Sequence, residues 1–261
     1  EFIKNIGDGA FSNTMLTEIY LPEGLSHVGR QAFNTICAVN GFQNYVGPDR
    51  MYDIHIPSTL KYIDAFAFAN VANVYTPFVN AALIQAGMRS GNLRHGPECD
   101  IWKLKIDGKP DVIVPKSIGS TSYASKMANK INTAFGLTKN DKSMTDNTAS
   151  EAVTPPELYQ YSPDSTGLTT ALEQCRKYPS GSLKRFITKN TSIIFYNLIT
   201  SPTSSNGEEI MAGLIKDGVF TDTALKKLLK EIEESARKEN LTTLKAYVLD
   251  TIKHKSNTFK I

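Results

Sequence analysis

Four histidines (His27, His55, His95, His254) and three cysteines (Cys37, Cys99, Cys175) are the residues of this 261-residue chain best suited to metal or nucleophilic chemistry. Their spacing supports neither. No two histidines stand at the separation of a metal-binding pair, and no C-x-x-C occurs. The run His95-Gly-Pro-Glu98-Cys99 offers three ligand types but no second half of a site. The cysteines are odd in number and widely spaced, which is the pattern of isolated thiols rather than of a disulfide framework. No G-x-S-x-G, no P-loop and no dinucleotide fingerprint is present. The expectation is a protein that is not an enzyme, with no catalytic residues, no metal and no cofactor.

The chemistry that remains is recognition by a surface. Its best candidates lie in short strand-like phrases closed by proline: LTEIYLP at Leu16–Pro22, DIHIP at Asp53–Pro57, NVYTP at Asn73–Pro77 and DVIVP at Asp111–Pro115. In an extended strand successive side chains point to opposite faces. Ile19 and Leu21 therefore share one face and Glu18 and Tyr20 the other. The same alternation assigns Asp53/His55, Asn73/Tyr75 and Asp111/Ile113 to the outward face. Laid side by side at about 4.8 Å, these residues form a polar and aromatic surface suited to a protein interface. Glu18, Tyr20, Asp53, His55, Asn73, Tyr75 and Asp111 are the candidate partner-binding residues.

What would hold those strands in line is an internal repeat. Ile3, Ile6, Gly7, Ala10 and Phe11 recur as Leu25, Val28, Gly29, Ala32 and Phe33, each 22 residues later. Leu60, Ile63, Ala67 and Phe68 repeat the turn once more. From Pro22 to Pro57 is 35 residues, 13 more than the repeat, so an insertion falls within Asn34–Tyr52. Its Gly41, Gly47 and Pro48 mark it as a loop, with Phe42 and Tyr45 as exposed aromatics or a small plug. A period of this size is the mark of stacked repeats, each unable to bury a core alone. The strand that precedes Ile3 in this template is expected upstream of Glu1, which would make the chain a fragment.

Beyond Pro77 the pattern changes. The stretch 77–87 has helix composition, with Thr76 as N-cap and Pro77 at the first helical position. Ile101–Ile106 alternates, placing Trp102, Leu104 and Ile106 opposite Lys103 and Lys105, and Asp107-Gly108 is a hairpin turn. Ser120–Phe135 reads as a second helix closed near Gly136. These two helices are expected to cap the repeats. Residues 137–164, rich in Thr, Ser, Asn, Asp and Pro, read as a polar linker, with Tyr159 and Tyr161 as surface anchors.

Residues 165–261 read as a small helical domain. Helices are expected from Ser165 or Thr166 to Tyr178, over Glu208–Lys216, over Asp222–Glu239 behind a Thr221 cap, and from Leu241 to about Lys255. Leu225, Leu228, Leu229, Ile232 and Ala236 form one apolar stripe. Leu183, Phe186, Ile187, Ile194 and Leu198 share a helical face, although Thr191–Thr200 reads equally as a buried strand. Nine Lys and Arg between Lys226 and Lys260 are interleaved with acidic residues, the pattern of a solvated helix face. With a net charge of only +3, nucleic acid is disfavoured as a partner. No apolar run approaches the length of a transmembrane span, about 20 residues.

The phrases I-x-x-I-G-x-x-A-F, LTEIYLP and L-S-H-V-G-R-Q-A-F resemble leucine-rich repeats of the BspA type over Ile3–Pro77, and more weakly at Asp111–Pro115. The resemblance implies a non-catalytic solenoid that binds proteins or other surface partners, and it carries over no functional residues. The expected fold is α+β: residues 1–136 as a short leucine-rich-repeat solenoid with a parallel sheet and capping helices, residues 137–164 as linker, and residues 165–261 as helical domain. The expected function is protein binding or adhesion, toward a protein partner or a host surface molecule at the cell surface. The alternative is a structural subunit of a larger assembly such as a phage virion, with linker and helices docked on neighbouring subunits.

Overall fold

In the computed structural model the described residues are 3–34, 45–46, 51–88, 94–95, 97–117, 121–137, 153–161, 165–200 and 207–258. The fold is α+β, with strands in the first part of the chain and helices in the second. It divides into two compact units, Glu1–Thr170 and Ala171–Ile261.

Among the described residues the first unit carries ten strands: β1 (Asn5–Ile6), β2 (Glu18–Tyr20), β3 (His27–Val28), β4 (Tyr45–Val46), β5 (Tyr52–His55), β6 (Tyr62–Ile63), β7 (Val71–Tyr75), β8 (Arg94–His95), β9 (Ile101–Lys105) and β10 (Val112–Pro115). They form a three-stranded sheet β1-β3-β6, a five-stranded sheet β10-β9-β7-β5-β2 and a β4-β8 pair. The ladders β1-β3, β3-β6, β2-β5, β5-β7 and β7-β9 are parallel, while β9-β10 is antiparallel.

Register follows the sequence repeat. Asn5 pairs with His27, 22 residues on, and both Glu18–Asp53 and His27–Tyr62 span 35 residues. The 13-residue insertion therefore leaves the pairing phase intact. Its own residues lie outside the described set, except for the backbone of β4, which pairs with β8.

Between the two main sheets the turns repeat as well. The amide of Phe11 donates to the Ala32 carbonyl at 2.7 Å, Phe33 to Ala67 at 3.0 Å and Phe68 to Ala86 at 2.8 Å. Each turn also passes through the left-handed region at one repeat position, occupied by Gly9 (φ 62°), Gln31 (φ 55°) and Phe66 (φ 64°). Only the first of these is a glycine, so the second and third bear a side chain in a backbone conformation that disfavours one. The rings behind the turns form a column, with Phe11 stacked on Phe33 at 5.1 Å and Phe33 tilted on Phe68 at 6.2 Å.

The core lies between the sheets. Ile19, Leu25, Val28, Phe33, Ile54, Leu60, Phe68, Val74 and Leu104 are all buried within one cluster. It continues to Trp102, Val112 and Val114, and then to Met127 and Ile131 of helix α2 (Thr121–Phe135).

Three expectations for this unit are revised. The first helix, α1 (Ala81–Ala86), starts four residues later than the composition suggested. Asn80 caps it, accepting from the Leu83 amide at 2.8 Å, while the Thr76 hydroxyl turns instead to Phe78. Secondly, β9 is a member of the main sheet, inserted between β7 and β10, so Asp111 lies beyond another strand rather than beside Asn73 and Tyr75. Thirdly, within the expected linker, Leu158 joins the core and Tyr161 packs 5.8 Å from Tyr123 of α2. The apolar side chains of 153–161 fix that stretch more firmly than its polar composition suggested. Residues 138–152 lie outside the described set.

The division between units falls inside helix α3 (Ser165–Lys177). The second unit continues with α4 (Gly181–Lys189), α5 (Thr191–Phe195), a π-helical turn (Tyr196–Thr200), α6 (Gly207–Lys216), α7 (Asp222–Glu234) and α8 (Thr242–Thr258). Helix α7 packs on α4, α5 and α8, and α8 packs on α6. Thr191–Thr200 is thus helical rather than a strand. Ile194, Phe195, Leu198 and Ile199 bury two adjacent positions per turn, a run that alternation cannot separate from a buried strand. Thr221 caps α7 as expected, accepting from the Ala224 amide. That helix stops at Glu234, five residues early, and Ala236 is exposed.

Candidate functional site

The alternation of β2, β5 and β7 turns Ile19, Ile54 and Val74 into the core and leaves the intervening residues outside. Register then sets two rows across the outer face. One runs Glu18–Asp53–Asn73–Lys103–Ile113, and the other Tyr20–His55–Tyr75–Lys105. Six of the seven residues singled out from sequence (Glu18, Tyr20, Asp53, His55, Asn73 and Tyr75) therefore occupy adjacent positions on one surface.

The second row is an aromatic ladder. Tyr20 stacks on His55 with ring centroids 4.1 Å apart and 12° between planes. His55 stacks on Tyr75 at 4.3 Å and 3°. Parallel β-pairing supplies the spacing, since strands about 4.8 Å apart place like-directed rings near van der Waals contact.

Carboxylates accept hydrogen bonds both between and within the rows. Tyr20 donates its hydroxyl to Glu18 Oε1 at 2.6 Å, and Asn73 Nδ2 donates to Asp53 Oδ1 at 2.7 Å. His55 Nε2 lies 3.4 Å from Glu18 Oε1 without the alignment of a hydrogen bond. The bond to Glu18 is the main cause that raises the Tyr20 pKa above its ordinary value, because the phenol would lose its donated proton.

Asp111 needs a different account. It pairs with Lys105 at 2.7 Å, both side chains being largely covered. Its charge is thus matched within the chain. Ile113, two residues on and expected on the outward face with it, is fully buried. The open part of the face is accordingly the β2-β5-β7 end, where Glu18 and Asp53 are acidic and Tyr20 is 67% exposed. Reasoning from sequence omitted Lys103 and Lys105 from the face. The signal that could have included them was present in the Ile101–Ile106 alternation, which put both lysines opposite the apolar residues.

Among the described residues no group of three His, Cys, Asp or Glu could hold a metal ion. His27 pairs with Asp64 at 3.2 Å and His254 with Asp250 at 3.3 Å, both exposed. The side chains of His95 and Glu98, and the whole of Cys37, lie outside the described set, whereas Cys99 and Cys175 are buried. Among the described residues no helix is long and apolar enough to cross a membrane. No protein-family model matches the chain, and no match to it was found among curated proteins or solved structures.

Proposed function

We propose that the first unit is a short leucine-rich-repeat solenoid of the BspA type and that it is a non-catalytic protein-binding module acting through the outer face of its sheet. The observation that carries this reading is the Tyr20–His55–Tyr75 ladder with its row of Glu18, Asp53 and Asn73. Stacked rings on a rigid sheet lose little entropy on binding, and tyrosines are enriched at interface centres. The partner that suits this face is an extended or flat protein segment bearing a basic side chain. Its cation would meet Glu18 and Asp53, and its apolar surface the ring edges. In that role the module would grip a surface molecule, as an adhesin does.

Selection from a displayed random peptide library tests this. Peptides retained by the wild-type protein should be enriched in Arg or Lys and should be lost on the His55→Ser/Tyr75→Ser double variant. Retained peptides that bind the double variant equally well would refute the reading.

A second reading, a subunit of a larger assembly, is favoured by one observation. Five of the large exposed apolar residues (Ile3, Phe11, Met15, Leu16 and Tyr20) gather at the β1-β2 end of the solenoid.

A further inference from the structure

One stretch of the second unit, Gln174–Gly207, holds five cations (Arg176, Lys177, Lys184, Arg185 and Lys189) and no carboxylate. Helices α4 and α5 lie in its middle and run on as one. Only Asn190 separates them, and its amide donates to the Phe186 carbonyl at 3.1 Å while its carbonyl accepts from Ile194 at 3.0 Å. Leu183, Ile187, Ile194 and Leu198 bury the inner side of this pair. The outer side is exposed at Arg185, Lys189, Ser192, Ile193 and Tyr196. At 3.6 residues per turn, Arg185, Lys189, Ser192 and Tyr196 fall within about 60° of one another, with Ile193 beside them. Two of these are large apolar side chains left in water, Ile193 at 52% and Tyr196 at 64% exposure.

The charges of this stripe are not matched as others in the unit are. Arg176 pairs with Asp217, Lys230 with Glu234, Arg237 with Glu208 and Lys245 with Glu233. Lys184, Arg185 and Lys189 have no ion pair among the described residues. Helix α7 adds another cation, since Lys227 Nζ donates to the Thr188 carbonyl at 3.2 Å. It also brings Asp222, next to Thr221, whose hydroxyl lies 2.7 Å from that of Thr188. Four cations thus stand against one carboxylate around the turn that precedes Ile193 and Tyr196.

We propose that this stripe docks on an anionic membrane surface. Lipid headgroups meet Arg185, Lys189 and Lys227, and Ile193 and Tyr196 enter the headgroup layer. Charge complementarity fixes the sign of the occupant. Its form follows from the shape of the stripe, whose side chains project from the outer side of a helix. A protein segment is held by a groove or by an open strand edge. A bilayer plane instead meets all the projecting groups at once. Clusters of Lys and Arg are drawn to anionic leaflets, and tyrosine is enriched at the boundary between membrane and water.

The test is sedimentation of the whole chain with vesicles of phosphatidylcholine alone and of phosphatidylcholine with about one third phosphatidylserine. Binding to the anionic vesicles alone is expected, with release as salt is raised. A cation at such a surface raises partitioning about fivefold, so Arg185→Gln/Lys189→Gln should lower it about 25-fold. Ile193→Ser/Tyr196→Ser should lower it at least tenfold at unchanged charge. All four residues are exposed, so both double variants should melt with the wild type. Lys245→Gln/Lys253→Gln removes the same charge from α8 and should change binding less than twofold. Absence of binding to anionic vesicles would overturn the proposal, and so would an equal loss in the α8 variant, since binding would then follow total charge. Retention by polyglutamate or duplex DNA without binding to vesicles would assign the stripe to an acidic protein or a nucleic acid and overturn it too.

Discussion

Gly7 and Gly29 are the same residue in the same phrase, 22 positions apart, yet substitution to alanine should affect them oppositely. Neither has a positive φ, so alanine suits the backbone at both. The difference is their surroundings. A Cβ at Gly29 would contact Asp8 Oδ1, lie 2.7 Å from the Asp8 nitrogen and lie 2.8 Å from the Gly7 carbonyl carbon. Ordinary contacts between such heavy atoms fall at about 3.5–4.0 Å. Two of the three atoms are backbone and cannot rotate aside, so the turns must separate. Asp8 also accepts the Arg30 amide at 2.8 Å, and that bond would strain with them. Overpacking of this kind costs about 1–3 kcal/mol. Gly7→Ala meets nothing and instead restricts the unfolded chain, a gain of about 0.4–1 kcal/mol. The gap between the two variants is then about 1.4–4 kcal/mol. Urea unfolding followed by the emission of Trp102 measures it, because that residue is the sole tryptophan and is buried in the first unit. If Gly29→Ala and Gly7→Ala fell within about 0.5 kcal/mol of each other, the stacking of one turn on the next would be refuted.

The same measurement serves four further variants. Phe33→Ala removes a ring held between Phe11 and Phe68 and should cost about 3–5 kcal/mol, whereas Phe11→Ala, with its ring 41% exposed, should cost less than half of that. Gln31→Gly relieves a side chain at φ 55° and should stabilise by up to about 1 kcal/mol; loss of stability would mean that Gln31 contributes more by its contacts. The Tyr52 hydroxyl is buried without a partner among the described residues, and burial holds its pKa well above that of free tyrosine. Tyr52→Phe should therefore be neutral or stabilising by about 1 kcal/mol, and absorbance at high pH should show one tyrosine that ionises only as the first unit unfolds. Glu23 accepts from the Ser58 amide at 3.1 Å and from its hydroxyl at 3.2 Å, and the backbone bond is the main cause that lowers its pKa. Its contribution is complete above the carboxylate pKa of the unfolded chain and is lost as pH falls through the lower folded value. Side-chain NMR titration should place Glu23 below exposed glutamates, and Ser58→Ala should move it upward but not fully, since the amide remains.

How far the sequence carried depended on whether a signal was local or periodic. The repeat of Gly7 and Gly29, the inward Ile19 and Leu21, and the outward Glu18 and Tyr20 were legible because a strand has a two-residue period and the phrase recurs intact. The caps at Thr221 and the turn at Gly136 (φ 65°) were legible from local chemistry. The order of strands was not. Nothing in Ile101–Lys105 says that it enters the sheet ahead of Asp111–Pro115, and that insertion pairs Asp111 with Lys105 and moves it away from Tyr75. Nor did composition show that Leu158 would hold its polar surroundings against the core. The stacking of Tyr20, His55 and Tyr75 stood between these cases: their shared face was predictable, but the near-parallel rings depended on a register that only pairing fixes. Gln31 and Phe66 at positive φ were invisible, because residues that pay for a left-handed turn carry no mark in the sequence.

The outer face of β2, β5 and β7 is the proposed binding surface. Amide chemical-shift mapping with a peptide taken from the library selection tests it directly. The largest shifts should fall on Glu18–Tyr20, Asp53–His55 and Asn73–Tyr75, with residues 207–258 unmoved. Shifts concentrated in the helices of the second unit, with those nine amides unchanged, would contradict it.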